Sequence, residues 1–194
     1  MLSAVARAET VRVHMVVLTL TWAVLAAPPP AGSAPGDPMP REVPEFTAAS
    51  GDEALLTRAQ VRGKVLLVWY EGDGVQEVNA ALKAELKTFN TTQLAHPERL
   101  VVVPFADVSG LIWPITAVAR SKLRDISAEI GLTVYGDWDG SVRQRFRFVE
   151  GAPNVLLADA RGVIRWRYTG KVPASDFPKI KALIAQLVDG EEGQ

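Results

Sequence analysis

Glu71 and Asp73 stand two residues apart where an apolar run ends, and two carboxylates converging in a cleft can do general acid–base work. Arg143, Arg145 and Arg147 are interleaved with Phe146 and Phe148, and Arg161, Arg165 and Arg167 follow. Alternating arginines and aromatics can hold an anion or a single strand; ordinary ion pairing on a solvated face is the alternative. His96 is followed by Pro97 in a polar stretch and has no sequence partner that would make it a base or a ligand, so it is expected to be exposed. Gly136-Asp137-Trp138-Asp139-Gly140-Ser141 starts like a calcium loop but lacks the later amide ligand and bidentate Glu. It is expected to be a turn capped by its own Asp side chains, and no metal or other cofactor is expected. The chain contains no cysteine, which excludes disulfides, thiolate nucleophiles and sulfur-ligated zinc.

The 194 residues suffice for one ordinary domain plus an N-terminal appendage. Lys and Arg total 21 against 22 Asp and Glu, with a pI near 6.1, which argues against a nucleic-acid surface. Arg7 and Arg12 precede an apolar run from Val13 to Ala27, and small residues and prolines follow, the order of a secretory signal. The run is shorter than the roughly 20 apolar residues that span a bilayer comfortably. Residues 1–34 are therefore expected to be a signal peptide with its cleavage region, cut after Ala26 or within Ala31 to Ala34. The product would be periplasmic or extracellular, with no membrane association after cleavage. Residues 35–44 continue a Pro-, Ala- and Gly-rich stretch expected to be a disordered linker, residues 45–188 the folded domain, and residues 189–194 a fraying tail.

Several elements must position these groups. Val65 to Tyr70 is an unbroken apolar run, the pattern of a strand covered on both faces. From Val75 the apolar residues 75, 78, 82, 86 and 89 form one helical stripe, with Asp73 and Gln76 placed for a reciprocal cap. Leu100 to Val108 is a second core strand, in which Pro104 predicts an edge, a bulge or an early end. Trp113-Pro114 opens a helix whose inner face is expected to be Ile115, Val118, Ala119, Lys122, Leu123, Ile126 and Ile130, ending at Gly131. Thr133 to Tyr135 can form a short strand, and a last helix runs from Phe177 to Val188.

Between these lies a hairpin: Pro153, then the apolar run Asn154 to Asp159, a turn at Ala160-Arg161-Gly162, and an alternating strand from Val163 to Tyr168 closing on Gly170. The order strand, helix, strand, helix, short strand, hairpin, helix implies an α/β mixed sheet with helices on both faces.

Gly151-Ala152-Pro153, the apolar strand, Asp159, Gly162 and the strand closing on Gly170 resemble the C-terminal hairpin of thioredoxin-like proteins, especially the exported and peroxiredoxin-like (redoxin) branches. The resemblance spans roughly residues 45–188 and implies a three-layer thioredoxin-like sandwich. It also implies that Pro153 is cis and faces the strand–helix junction where that family keeps its active cysteines. Here the junction is Asp73-Gly74-Val75-Gln76-Glu77, and none of these can be a redox nucleophile. Val75-Gln76-Glu77-Val78-Asn79 running into an amphipathic helix is similar to the cysteine-lacking YtfJ-type periplasmic proteins.

The expected function is thus an exported, redox-inactive thioredoxin-like protein that binds another protein or peptide. Its shallow groove would be bordered by Glu71, Asp73, Gln76, Trp113, Ala152 and Pro153. Each has a plainer role open to it: Asp73 capping, Trp113 packing, Pro153 fixing a turn. The other reading, a redoxin-class oxidoreductase, rests on fold analogy alone, because thiol exchange and thiol peroxidase chemistry both need a sulfur.

Overall fold

The computed structural model describes residues 39–190; the expected signal segment, residues 1–34, and the end of the expected tail lie outside them. Among the described residues there are seven strands, β1 (Thr47–Ser50), β2 (Leu55–Thr57), β3 (Val65–Glu71), β4 (Leu100–Asp107), β5 (Tyr135–Asp137), β6 (Asn154–Ala158) and β7 (Ile164–Thr169). Five helices accompany them, α1 (Arg58–Val61), α2 (Ala80–Thr92), α3 (Ile115–Ile130), α4 (Ser141–Phe146) and α5 (Phe177–Asp189). One sheet contains all the strands in the order β2-β1-β5-β4-β3-β6-β7. β3, β4 and β5 run parallel, while β6, β7, β1 and β2 pair antiparallel with their neighbours.

β3 is buried at every position, as an apolar strand covered on both faces must be. Val65, Leu67 and Trp69 point to one core, shared with Leu82, Leu86 and Phe89 of α2 and with Phe177, Ile180, Ile184 and Val188 of α5. Leu66, Val68 and Tyr70 point to the other, which contains Phe46, Val61 of α1 and Val142 and Phe146 of α4. Strand alternation thus produces three layers with helices on both faces, as the element order implies. At the β1 end, α3 is tied on by Arg124, whose Nη1 donates to the Gly51 carbonyl at 3.1 Å.

Several expectations are corrected. Pro104 lies in an interior strand: β4 pairs with β3 from Leu100 to Ala106, but β5 begins opposite Phe105, so on that side no partner strand reaches Pro104. The segment expected as a linker is ordered from Met39. Val43 is buried, its amide donates to the Gly162 carbonyl at 2.8 Å, and Ile164 donates to the Arg41 carbonyl at 2.9 Å. Val43 is the apolar anchor in that Pro-rich stretch, and the outer edge of β7 supplies its backbone partners. α2 starts at Ala80 rather than Val75, because Gly74 is left-handed (φ 79°) and residues 75–80 form successive turns. Asn79, not Asp73, precedes the helix.

The hairpin forms as expected, with β6 and β7 antiparallel around a turn at Gly162 (φ 87°). Asp159 organises it: Oδ1 accepts the amides of Arg161 and Val163 at 3.0 and 2.8 Å, and Oδ2 accepts Arg165 Nε at 2.7 Å. Burial alone would raise this carboxyl's pKa, but the Val163 amide and Arg165 outweigh it and hold it below the usual value.

Candidate functional site

Parallel strands deliver their carboxyl ends to one side of a sheet, where open α/β folds build their sites. Here β3, β4 and β5 end at Glu71, Asp107 and Asp137. β6 starts beside β3, with Asn154 opposite Tyr70, so Pro153 enters the sheet at the same end. All six expected groove residues therefore belong to this end: Glu71, Asp73 and Gln76 after β3, Trp113 after β4, and Ala152 and Pro153 before β6.

Glu71 is buried, and its Oε2 receives Lys83 Nζ at 2.6 Å. The same ammonium donates to the Gln76 carbonyl at 2.8 Å and lies 5.6 Å from the Trp69 ring centroid. Lys83 thereby joins two of the expected residues. Glu71 Oε1 is buried without a hydrogen-bond partner. Burial pushes this carboxyl's pKa above its ordinary value, with Lys83 pulling the other way. Asp73 and Gln76 are exposed, and the Asp73 side chain caps no helix.

Pro153 is buried and follows a trans bond: the one cis peptide among the described residues is Trp113–Pro114. The expectation of a cis Pro153 is corrected on that point. The turn is shaped instead by Asn154, which donates to the Val149 and Ala152 carbonyls at 2.9 and 2.8 Å and accepts the Val149 amide at 2.9 Å. Pro153 is linked to the start of α2 indirectly. Gly170 donates its amide to the Pro153 carbonyl at 2.8 Å and accepts Asn79 Nδ2 at 3.1 Å, while Asn79 Oδ1 accepts the Val172 amide at 2.9 Å.

A second polar group braces the β4 and β5 side. Tyr70 Oη donates to Asp137 Oδ2 at 3.0 Å, and Asp137 also accepts the amides of Val142 and Arg143 at 3.1 and 2.9 Å. Burial, then the charges of Asp137 and Asp107, raises the Tyr70 phenol's pKa and keeps it a donor. Ser109 Oγ donates to Asp107 at 2.6 Å, and Arg143 reaches both Asp107 and Glu150. The Gly136 to Ser141 loop thus spends its Asp side chains on amides, as a turn does: Asp139 accepts the Ser141 amide at 2.9 Å.

The expected basic segment disperses. Arg143 is ion-paired, Arg145 donates to the Glu45 carbonyl, and Arg165 serves Asp159. Arg167 donates to the Phe146 carbonyl and packs over Phe148.

Trp113 is 82% exposed, and Leu111, Ile112, Ile115 and Val118 are exposed beside it in sequence. The expected inner face of α3 is corrected here: Leu123 is its one buried residue, and both the first turn at Ile115 and Val118 and the last residue, Ile130, are exposed. Asn79 and Lys83 are site residues that sequence reasoning missed. Asn79 carried a signal, a polar residue just before a helical stripe; Lys83 carried none.

No protein-family profile and no curated protein matches the chain. Solved structures do. A candidate thioredoxin from Neisseria meningitidis aligns with TM-score 0.56 at 23% identity over 78% of this chain and 93% of its own. A secreted Mycobacterium tuberculosis disulfide oxidoreductase homologous to E. coli DsbE aligns with TM-score 0.51 at 17% identity, over 73% and 96%. BsSco, a member of the Sco family of cytochrome c oxidase assembly proteins, aligns with TM-score 0.53 at 14% identity, over 77% and 95%. Sheet order, layers and these structural likenesses together give the chain a thioredoxin-like fold, carried by a sequence without cysteine.

Proposed function

We propose that this is an exported, redox-inactive thioredoxin-like protein that holds another protein or peptide at the carboxyl ends of β3 and β4. The observation that carries the reading is the run of exposed apolar side chains at Leu111, Ile112, Trp113, Ile115 and Val118. Apolar side chains exposed this close together in sequence favour an interaction site, and Trp is among the residue types most enriched in binding hot spots. The exposed Asp73 and Gln76 follow β3 at the same end of the sheet and supply a polar border. The oxidoreductase alternative rests on fold likeness to redox proteins, and the sulfur that thiol chemistry requires is missing from the sequence. Export rests on the charged, apolar, small-residue order of residues 1–34.

A photo-crosslinking residue at position 112 tests the binding site in the organism that makes the protein, with position 179 on α5 as the control. The expected result is a discrete adduct from position 112 alone, lost when Trp113→Ala is added. Equal adducts from both positions, or an adduct indifferent to Trp113, would overturn the reading. Cell fractionation with N-terminal sequencing of the product tests export. An intact N-terminus in the cytoplasm would overturn that part.

A further inference from the structure

We propose a second ligand site at the opposite end of the sheet, for a small phosphate monoester with an apolar body. A cavity of about 320 Å³ opens where β3 begins and the β6–β7 turn ends. That volume falls within the roughly 300–1,000 Å³ of small-molecule sites. Val43, Val61 and Leu66, all buried, give it an apolar floor. Four cationic side chains, Arg58, Arg62, Lys64 and Arg161, line it, against one carboxylate, Asp159.

That carboxylate is already committed. Asp159 accepts two backbone amides and Arg165, which lies outside the cavity lining, so its charge is met from elsewhere. Arg58 is held by Glu45 at 3.2 Å and Glu42 at 3.7 Å. Among the described residues the other three cations have no such carboxylate of their own. Lys64 Nζ rests on the neutral Glu98 carbonyl at 3.0 Å. Arg161 is 71% exposed and reaches only the committed Asp159, at 3.7 Å. Arg62 is exposed and has no ion pair among the described residues. Three cations around one mouth suit a dianion better than a single carboxylate, and the planar fork of arginine matches phosphate oxygens two at a time. The apolar floor selects an ester with an alkyl or aryl body over the bare ion. This site is independent of the one at the carboxyl ends of β3 and β4.

Phenyl phosphate is the probe, titrated into the purified protein and followed by backbone amide NMR and calorimetry. The expected result is saturable shifts at Gly63, Ala160 and Gly162, with affinity that falls as salt rises and exceeds that of inorganic phosphate and of phenol. Arg62→Gln and Arg161→Gln should each weaken binding about tenfold, the loss of one charge-assisted hydrogen bond. Trp113→Ala should leave it unchanged. Both arginines are exposed, so either variant can carry the test if the other fails to fold. No saturable shift at those amides, affinity unchanged from the wild type in both arginine variants, or inorganic phosphate binding as well as phenyl phosphate would overturn the proposal.

Discussion

Tyr70 Oη donates to Asp137 Oδ2 at 3.0 Å and so ties β3 to β5 across the intervening β4. The acceptor is buried and also holds the amides of Val142 and Arg143, which fixes the start of α4 on the same carboxylate. Asymmetry between the partners follows. Tyr70→Phe leaves Asp137 two donors and should cost about 1 kcal/mol, the net worth of one hydrogen bond. Asp137→Ala strands a buried amide, a half-buried amide and a buried phenol and should cost more, about 3 kcal/mol or above. Urea unfolding of both variants measures the difference; equal losses would contradict the assignment of Asp137 as the shared acceptor.

Glu71 makes stability depend on pH. Its folded pKa is raised above the ordinary 4.5 because burial penalises the carboxylate more than Lys83 rewards it. Between the unfolded and folded values the unfolded chain binds fewer protons, so this residue's contribution is most favourable below 4.5 and diminishes as pH rises through the folded value. Glu71→Gln should flatten the stability profile across that window in urea melts taken from acid to neutral pH. A profile with unchanged slope would show that Glu71 is not the group titrating there.

The strands of the core were legible because burial on both faces writes an unbroken apolar run, as in Val65 to Tyr70 and in Val155 to Leu157. The hairpin turn was legible from Asp159 and Gly162, whose local bonds lie within four residues. Long-range partners were not. Nothing in spacing pairs Tyr70 with Asp137, 67 residues on, or points Lys83 at Glu71. The apolar stripe of α3 was read correctly as helical and wrongly as covered. Period 3.6 shows that a helix has an apolar face, and only the tertiary arrangement decides what meets it. Likewise Pro153 was placed correctly at the entrance to β6, but its peptide bond is trans where the resemblance implied cis.

Two glycines should fail for different reasons when given a methyl group. At Gly51 a Cβ would stand 2.4 Å from the Arg120 carbonyl oxygen, so α3 must move away from the end of β1. Gly51→Ala should cost about 1–3 kcal/mol, the usual range for overpacking. At Gly63 a Cβ meets nothing, but φ is 77°, and Gly63→Ala should cost about 1–2 kcal/mol from left-handed backbone alone. Asn tolerates that conformation, so Gly63→Asn should recover part of the loss while Gly51→Asn recovers none. Thermal denaturation of the four variants separates the two causes, and recovery at position 51 would rule out the clash.

Within α3 and the loop before it, neighbouring apolar residues should behave oppositely. Leu123 is 4% exposed, and Leu123→Ala should cost about 2–5 kcal/mol through lost burial and the cavity left behind. Ile112 is 73% exposed, and Ile112→Asp should change stability by no more than about 0.5 kcal/mol, as surface substitutions do. With the photo-crosslinking residue moved to position 115, which is also exposed, the same Asp substitution should abolish the adduct formed through the Trp113 surface, because a charge placed among apolar contacts must be desolvated without a partner. Chemical denaturation and crosslinking together make the test decisive. If Ile112→Asp destabilises the fold as Leu123→Ala does, the patch is internal packing and the docking surface is lost. If stability and adduct both survive, the apolar run is exposed but binds nothing there.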